Sequence, residues 1–269
     1  MDTFPSHWLD QLSGMPRVLT LDVAGYPGSV NINRDDLARV YLPVLHVMQT
    51  ALVESQRRIV AGLGGIPGSG KSTFAAVLAR IADIIWGTGR LAVVGMDGWH
   101  WPNAVLDVRT TTDESGNAVP LRQRKGGPDS YDIAGIAAAV NELRAADHPV
   151  SLPVYDRRRH DPVAEGIAVS PGTSIVLLEG NYLLDAHSPW GAVSQRLRPR
   201  LFLECDVAAA RDRVVARHVR GGLSPDQAAA KYEANDRLNA IAAAATAANA
   251  HYVIRFEPQP AVFANPPRM

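Results

Sequence analysis

The chain of 269 residues is long enough for one large α/β domain or two small ones, and either arrangement can bury a sizeable core. Lysine plus arginine equals aspartate plus glutamate at 27 each, so no net charge draws the whole protein to nucleic acid or to an anionic membrane. The single cysteine, Cys205, excludes an internal disulfide and any metal site built from several cysteines.

The sequence shows no targeting or membrane-spanning pattern. The N-terminus carries Asp2 and Asp10 and lacks the basic start and apolar run of a secretory signal. The Ala-rich stretch at residues 240–250 is well short of the ~20 apolar residues that a membrane span needs. We therefore expect a soluble, cytoplasmic protein.

Prolines and glycines are scattered through the first 33 residues without a sustained hydrophobic period. We predict an irregular lead-in over residues 1–33, with one short strand over residues 18–23. From residue 35 onward apolar side chains recur at roughly helical spacing, and Pro43 is expected to start or kink that helix.

Short apolar runs alternate with helical patterns through the rest of the chain, over residues 59–63, 91–96, 175–178 and 201–203. The last three runs end at acids, Asp97, Glu179 and Glu204. Brief unalternating runs are typical of buried parallel strands, and their alternation with helices predicts a three-layer α/β sandwich with a mostly parallel sheet. We assign residues 34–269 to this one domain, with functional or disordered insertions at residues 99–131 and 150–171.

The stretch GIPGSGKST, residues 65–73, follows the first apolar run and precedes a helical pattern. In a GxxxxGK[ST] loop the glycines let backbone N–H groups surround a phosphate, the lysine adds a mobile charge, and the hydroxyl ligates Mg²⁺. The flanking strand and helix distinguish the stretch from a chance match in a glycine-rich turn. The predicted nucleotide contacts are Gly65, Pro67, Gly68, Ser69, Gly70, Lys71, Ser72 and Thr73.

The kind of nucleotide chemistry follows from what the sequence contains elsewhere. The NKxD string with which GTPases read guanine is missing, and the strand at residues 175–178 ends in Glu179 rather than in the acidic pair of motor ATPases. ATP and transfer to a small molecule are therefore favoured. Glu179 is interpreted either as a Mg²⁺ ligand beside Ser72 or as a strand-end acid that faces solvent.

Asp97 ends its strand in the segment MDGWH, on the γ-phosphate side of the predicted cleft. A carboxylate there can orient and deprotonate an acceptor hydroxyl in line with the phosphoryl group. We predict Asp97 as that base, and the alternative is that it caps a loop or holds a metal-bound water.

These motifs together resemble the phosphoribulokinase and uridine kinase superfamily of P-loop kinases, which includes bacterial-type pantothenate kinase. GIPGSGKST matches the family's phosphate loop, MDGWH is similar to the segment with its catalytic aspartate, and LLEGNYLL is similar to its Glu-Gly segment. RKGGPDSYD resembles a stretch of pantothenate kinase, PVYDRRRHDP the acceptor loop, and RVVARHVRGG the arginine-bearing lid. The resemblance covers residues 42–255 and is strongest to the branch of nucleoside or fructose-transport-associated kinases.

The resemblance implies an ATP- and Mg²⁺-dependent kinase with a helical lid and with Asp97, Lys71 and Arg217 as catalytic residues. Arg213 and Arg217 are four apart on one predicted helix, so they share a face and are expected to reach ATP, unless both are solvated. The predicted acceptor contacts are Asp97, His100, Arg124, Lys125, Tyr155, Arg157, His160 and Asn235.

The sequence thus predicts a kinase that phosphorylates a hydroxyl of a small metabolite, such as a sugar, sugar acid, nucleoside or pantothenate-like alcohol. The alternative is a regulatory or transport-associated ATPase without a small acceptor, and acceptor-dependent release of ADP separates the two. The balanced charge argues against a nucleic-acid partner. A homodimer is left open.

Overall fold

The computed structural model describes residues 4–23, 26–113, 116–187, 189–256, 259 and 261–266. The helices are α1 His7–Gln11, α2 Arg34–Asp36, α3 Leu42–Ser55, α4 Lys71–Trp86, α5 Asn103–Val108, α6 Ile133–Ala145, α7 Gly191–Ser194, α8 Val207–Arg220, α9 Pro225–Lys231 and α10 Arg237–Ala245. The strands are β1 Val18–Val23, β2 Tyr26–Asn31, β3 Ile59–Gly64, β4 Leu91–Gly95, β5 Thr110–Thr112, β6 Ala118–Pro120, β7 Val150–Asp156, β8 Asp161–Val169, β9 Ile175–Glu179, β10 Arg200–Glu204, β11 Tyr252–Arg255 and β12 Val262–Ala264.

The central sheet has six strands in the order β12-β11-β10-β3-β9-β4. All neighbours pair in parallel except β12, which pairs antiparallel with β11 at one edge. The four predicted strands are β3, β4, β9 and β10, so the mostly parallel sheet is confirmed. The chain crosses repeatedly over the sheet through helices, as parallel pairing requires.

Both faces of the sheet are covered, which gives the three predicted layers. On β3, Ile59, Ala61 and Leu63 belong to one buried hydrophobic cluster, whereas Val60 belongs to a second cluster on the opposite face. The first cluster includes α3 and α4, and the second includes α6 and α10. Since side chains of a strand alternate between faces, burial on both sides explains why the strand sequences are continuously apolar.

The prediction of an irregular lead-in over residues 1–33 is wrong for most of its described part. The strand over Val18–Val23 is confirmed, but α1 and a second strand, β2, accompany it, and β2 pairs antiparallel with β1. Pro27 and Gly28 hid β2, because neither residue favours a strand interior. Packing against α4 overrides that preference: Trp8 and Leu19 are buried in the same cluster as this helix. The division of the chain at residue 34 stays a prediction.

The insertion at residues 150–171, which was predicted as a long functional or disordered loop, is a β-hairpin of β7 and β8. The run of charges in its middle forms the turn, where Asp156 accepts hydrogen bonds from two successive backbone amides. The other insertion, residues 99–131, contains α5, the small β5–β6 hairpin and short turns. Both insertions lie at the end of the sheet that carries Asp97.

Pro43 stands in the first turn of α3, where a missing N–H costs nothing, and a π turn at Leu37–Tyr41 precedes it. The residues before it are already helical from Arg34, so the predicted helix is present and Pro43 follows an irregular turn within it rather than starting it. Within the described residues, every helix is either too short or too polar to traverse a lipid bilayer.

Candidate active site

The phosphate loop joins β3 to α4 and presents unpaired amide groups. Gly70 precedes α4 with φ +94°, a left-handed conformation that glycine adopts without strain. No side chain caps the helix there, and its first backbone bond runs from the Phe74 amide to the Gly70 carbonyl. The amides of residues 71–73 are therefore left for an anion at the positive end of the helix dipole.

Lys71 is buried and bonded to the loop itself. Its Nζ donates to the carbonyl oxygens of Gly65, at 2.9 Å, and Ile66, at 3.0 Å. Burial lowers the pKa of Lys71 to about 8, although the charges of Glu179 and Asp97 partly offset this effect. The ammonium is thus held beside the loop, where nucleotide phosphates would be stronger partners than neutral carbonyls.

Ser72 and Glu179 offer the oxygen donors expected for Mg²⁺. The Ser72 hydroxyl donates to Oε1 of Glu179 at 2.7 Å, and burial raises the pKa of the Glu179 carboxyl against the lowering effect of Lys71. Within the described ranges, no group of three or more His, Cys, Asp or Glu side chains could hold a metal. The pair therefore fits Mg²⁺ in its usual mode, with one or two protein oxygens completed by phosphate oxygens and water.

Strand register brings the catalytic candidates to one edge of the sheet. Glu179 at the end of β9 lies beside Leu63 on β3 and beside Gly95 on β4. The phosphate loop follows the first of these neighbours directly, and Asp97 follows the second. Ligands of open α/β sheets bind outside the carboxyl ends of the strands, which is where these groups meet.

The Asp97 carboxylate faces the cleft, and its side chain retains 42% exposure. The Tyr131 hydroxyl donates to its Oδ1 at 3.3 Å, and Nη2 of Arg157 lies 3.6 Å from its Oδ2. Burial acts to raise the pKa of Asp97, but the interaction with His100 and the positive charges of Arg157 and Arg217 outweigh burial and lower this pKa below its ordinary value. Asp97 is therefore ionised at neutral pH.

Three rings form a wall beside Asp97. His100 lies with its ring centre 4.1 Å from that of Tyr131 and 5.2 Å from that of Tyr155. Its Nδ1 donates to the Asp97 carbonyl at 2.9 Å, and burial lowers the pKa of the imidazole, which favours the neutral form. Burial also raises the pKa of Tyr155 to about 12, so its hydroxyl stays protonated. The wall is neutral and can pack against an acceptor.

Lys125 connects this wall to the β7–β8 turn. Its Nζ donates to Asn103 Oδ1 at 2.6 Å and to the His160 carbonyl at 2.7 Å, and it lies 5.0 Å from the Tyr155 ring centre. Burial, together with the nearby charge of Arg122, lowers the pKa of Lys125 to about 8. The His160 side chain is exposed, so the carbonyl of this residue rather than its imidazole takes part in these contacts.

Arg124 and Asn235 lie between the Lys125 segment and the lid. Arg124 Nη1 donates to the Ala234 carbonyl at 3.3 Å, and Asn235 Nδ2 donates to the Lys125 carbonyl at 2.8 Å. Each side chain thus bonds a backbone carbonyl of the other segment. Their predicted contact with an acceptor stays a prediction.

The lid begins with α8, which packs directly on the phosphate loop. A Cβ at Gly68 would stand 2.3 Å from the Ala210 carbonyl oxygen, so only glycine permits this approach. Arg213 is exposed and donates to the Gly68 carbonyl at 3.2 Å, whereas Arg217 is directed at the Asp97 side of the cleft, where burial lowers its pKa. The two arginines share a face as predicted but serve different parts of the site.

Three residues that contribute to the site were not predicted. Tyr131 bonds Asp97, Asn103 bonds Lys125, and the Tyr182 hydroxyl donates to the Gly126 carbonyl at 2.8 Å. Tyr131 lies in the segment RKGGPDSYD, whose resemblance to pantothenate kinase was a signal that could have identified it. The other two depend on contacts between distant segments, for which the sequence offered no pattern.

Comparison with known proteins places the chain among kinases, although no family model matches it. A Schizosaccharomyces pombe protein named as a candidate uridine kinase is 31% identical over 191 residues, which is 70% of this chain and 79% of that protein. A crystal structure of a candidate fructose transport system kinase from Silicibacter is 31% identical with a TM-score of 0.64, over 73% of this chain and 91% of that one.

A pantothenate kinase of Bacillus velezensis is 23% identical over 186 residues, which is 63% of this chain and 54% of that enzyme. The uridine kinase and the fructose transport system kinase match over most of their own lengths at 31% identity. The chain therefore belongs to the phosphoribulokinase, uridine kinase and pantothenate kinase superfamily of P-loop kinases, on the side of the nucleoside and fructose-transport-associated kinases.

Proposed function

We propose that this kinase transfers the γ-phosphoryl group of ATP to a hydroxyl of a small metabolite, and that Asp97 is the base. The observation that carries the proposal is the Asp97 carboxylate, which is ionised, 42% exposed and directed into the cleft at the sheet edge that bears the phosphate loop. A carboxylate used only to cap a loop would be bonded to backbone amides. Asp97 instead has Tyr131 and Arg157 as side-chain neighbours.

In the proposed reaction the acceptor oxygen attacks the γ-phosphorus and its proton passes to Asp97 as the new O–P bond forms. The bond between the γ-phosphorus and the bridging oxygen breaks, and ADP leaves with the electron pair. Lys71 and Arg217 stabilise the charge that develops on the transferred group. Ser72 and Glu179 would hold Mg²⁺, which would supply further positive charge there.

The low pKa of Asp97 suits positioning more than strong basicity. In a loose phosphoryl-transfer transition state the acceptor proton leaves late, so an oriented carboxylate is sufficient. Arg157 keeps that carboxylate charged and in place, and the rings of His100 and Tyr155 provide a neutral surface for the carbon skeleton of the acceptor. This combination fits a polyhydroxylated or amphipathic alcohol.

The proposal is tested by screening sugars, polyols, sugar acids, nucleosides and pantothenate for acceptor-dependent release of ADP. With the acceptor found, Asp97→Asn should slow transfer by about 10²- to 10⁴-fold, the usual contribution of a positioned base. ATP binding should change little, because among the described residues the Asp97 side chain bonds Tyr131 and lies beside Arg157 rather than bonding the phosphate loop.

Two other results would contradict the proposal in recognisable ways. Near-normal transfer by Asp97→Asn would remove the base assignment, and a new dependence of ATP affinity on Mg²⁺ concentration in that variant would make Asp97 a metal organiser. Equal ADP release with and without every acceptor would favour the ATPase alternative.

A further inference from the structure

The lid contains a second polar contact, remote from the phosphate loop. The Nε2 of His218, on α8, lies 2.8 Å from Oδ2 of Asp236, which ends the π turn Tyr232–Asp236. The two side chains are only 14% and 11% exposed, so water does not compete freely for this bond. A buried bond of this kind fixes the relative position of the two elements more firmly than an exposed one.

His218 follows Arg217 on α8, and the two side chains point about 100° apart around the helix axis. When His218 faces the π turn, Arg217 is directed into the cleft. The guanidinium is close enough to Asp97 and Lys71 for its charge to lower the pKa of both groups. The charge of Asp97 in turn acts on the pKa of Arg217. Among the described residues no hydrogen bond or ion pair fixes the Arg217 side chain, although the charges of Asp97 and Asp236 act on its guanidinium. Its position therefore depends on how α8 is held.

The π turn is also fastened to the acceptor side of the cleft. Asn235 donates to the Lys125 carbonyl and the Ala234 carbonyl accepts from Arg124, while Lys125 bonds the β7–β8 turn. A π turn places one extra residue in a helix and is often found at functional sites. One short segment thus touches the lid on one side and the acceptor segment on the other.

We propose that His218 and Asp236 are positioning residues that place Arg217 for phosphoryl transfer. We further propose that they couple α8 to the segment that contains Arg124 and Lys125. The proposal rests on the proposed function, because it assigns Arg217 to the transition state. It predicts that the pair contributes to transfer without contributing to nucleotide binding, since neither side chain contacts the phosphate loop.

The same two elements provide a matched control. Arg211 Nε lies 3.3 Å from Glu233 Oε1 and also joins α8 to the π turn, but these side chains are 40% and 53% exposed. Exposed ion pairs contribute little because water and salt screen them. Glu233→Gln should therefore behave as wild type in every measurement below.

The first measurement is deuterium exchange of α8 with Mg²⁺ and a non-hydrolysable ATP analogue, which needs no acceptor. His218→Ala and Asp236→Ala should each speed exchange of α8 by about tenfold, and the double variant should be no faster, as expected for one shared interaction. Exchange of α4 should be equally slow in all variants, because the phosphate loop is intact.

The second measurement is turnover with the acceptor found by screening. His218→Ala should lower kcat by about ten- to a hundredfold, the range for misplaced catalytic groups, with the ATP Kd unchanged. His218→Gln should recover most of the rate, because an amide N–H can still donate to the Asp236 carboxylate. If the pair were purely structural, His218→Ala and His218→Gln would both lower the melting temperature, and kcat would not fall while the ATP Kd stays unchanged.

The outcomes distinguish this proposal from the function on which it rests. Wild-type α8 exchange and kcat in folded His218→Ala would overturn the positioning role, whatever Asp97→Asn shows. Additive effects of the two single variants would also overturn it. If α8 exchange depends on the pair but Asp97→Asn transfers normally, the positioning role stands and the assigned base is wrong.

Discussion

The nucleotide side and the acceptor side of the cleft are built by different means. Nine consecutive residues, 65–73, supply the phosphate loop, and their main contribution is backbone amide groups. The proposed acceptor side combines side chains from four separate segments: Asp97 after β4, Lys125 and Tyr131 before α6, Tyr155 and Arg157 at the end of β7, and Arg217 on α8. The first half is a local motif, and the second exists only after folding.

This difference is consistent with kinase relatives whose names give different acceptors. A backbone cradle tolerates little change, because its conformation depends on glycines and on the packing of Gly68 against α8. Side chains on separate loops can change one at a time. Variants on the two sides should accordingly affect different kinetic constants, which the following predictions use.

Of the four predictions that follow, the largest effect is expected on the nucleotide side, from Lys71→Ala. Loss of the ammonium should lower kcat by about 10²- to 10³-fold, as for other groups that stabilise developing charge, and weaken ATP binding as well. Lys231→Ala, at the exposed end of α9, is the matched control and should leave both unchanged. Titration calorimetry and ADP release measure the two effects, and normal turnover by folded Lys71→Ala would contradict the phosphate-loop assignment.

Substitutions of the two lid arginines should affect different kinetic constants, because the two side chains face different sides of the cleft. Arg217→Ala should lower kcat by about 10²-fold with little change in the ATP Kd, because it meets the phosphoryl group mainly in the transition state. Arg213→Ala should instead weaken ATP binding, since Arg213 bonds the phosphate loop at Gly68. If both variants change the same constant, the assignment of Arg217 to transfer and of Arg213 to ATP binding is wrong.

On the acceptor side, Lys125→Met should raise the KM of the acceptor by about tenfold or more, because hydrogen bonds to a charged group are lost. Without the ammonium, Asn103 and the His160 carbonyl lose their donor and the β7–β8 turn is released from the wall. The ATP Kd should not change. Arg159→Ala, with a side chain that is 72% exposed, should match wild type and so controls for loss of a positive charge near the turn.

The smallest effect concerns pH. The protonated form of Lys71 binds phosphates, and its pKa in the free protein is about 8, so ATP affinity is full below that pH and falls as the pH rises through it. One proton predicts a loss of about fourfold between about pH 7 and about pH 8.5. Lys71→Ala should show a flat profile over that range, and a flat wild-type profile would mean that Lys71 stays protonated.

Much of the fold could be predicted because its signals are local. The strands β3, β4, β9 and β10 were recognisable because burial on both faces makes them continuously apolar, and the phosphate loop because its chemistry needs fixed residue types at fixed spacing. The β7–β8 hairpin and the strand β2 were missed because charges, Pro27 and Gly28 mask their pairing. Their stability comes from contacts with other segments.

The candidate site was predictable to the same extent. Asp97, Glu179 and the arginines of α8 could be named from strand ends and helical spacing, but the bond between His218 and Asp236 could not. These two residues are 18 positions apart, and no periodicity relates them. The side-chain partners of Lys125 were hidden for the same reason.

The β7–β8 hairpin pairs with none of the described strands of the central sheet. It is held to the sheet edge by close packing, since a Cβ at Gly98 would stand 2.2 Å from the Pro153 carbonyl, and by the contacts of its turn with Lys125. Changes in hairpin length or sequence therefore do not shift the register of the strands that carry the phosphate loop. A chimera that carries the hairpin of a relative should therefore show an altered acceptor preference while keeping the nucleotide affinity of this protein.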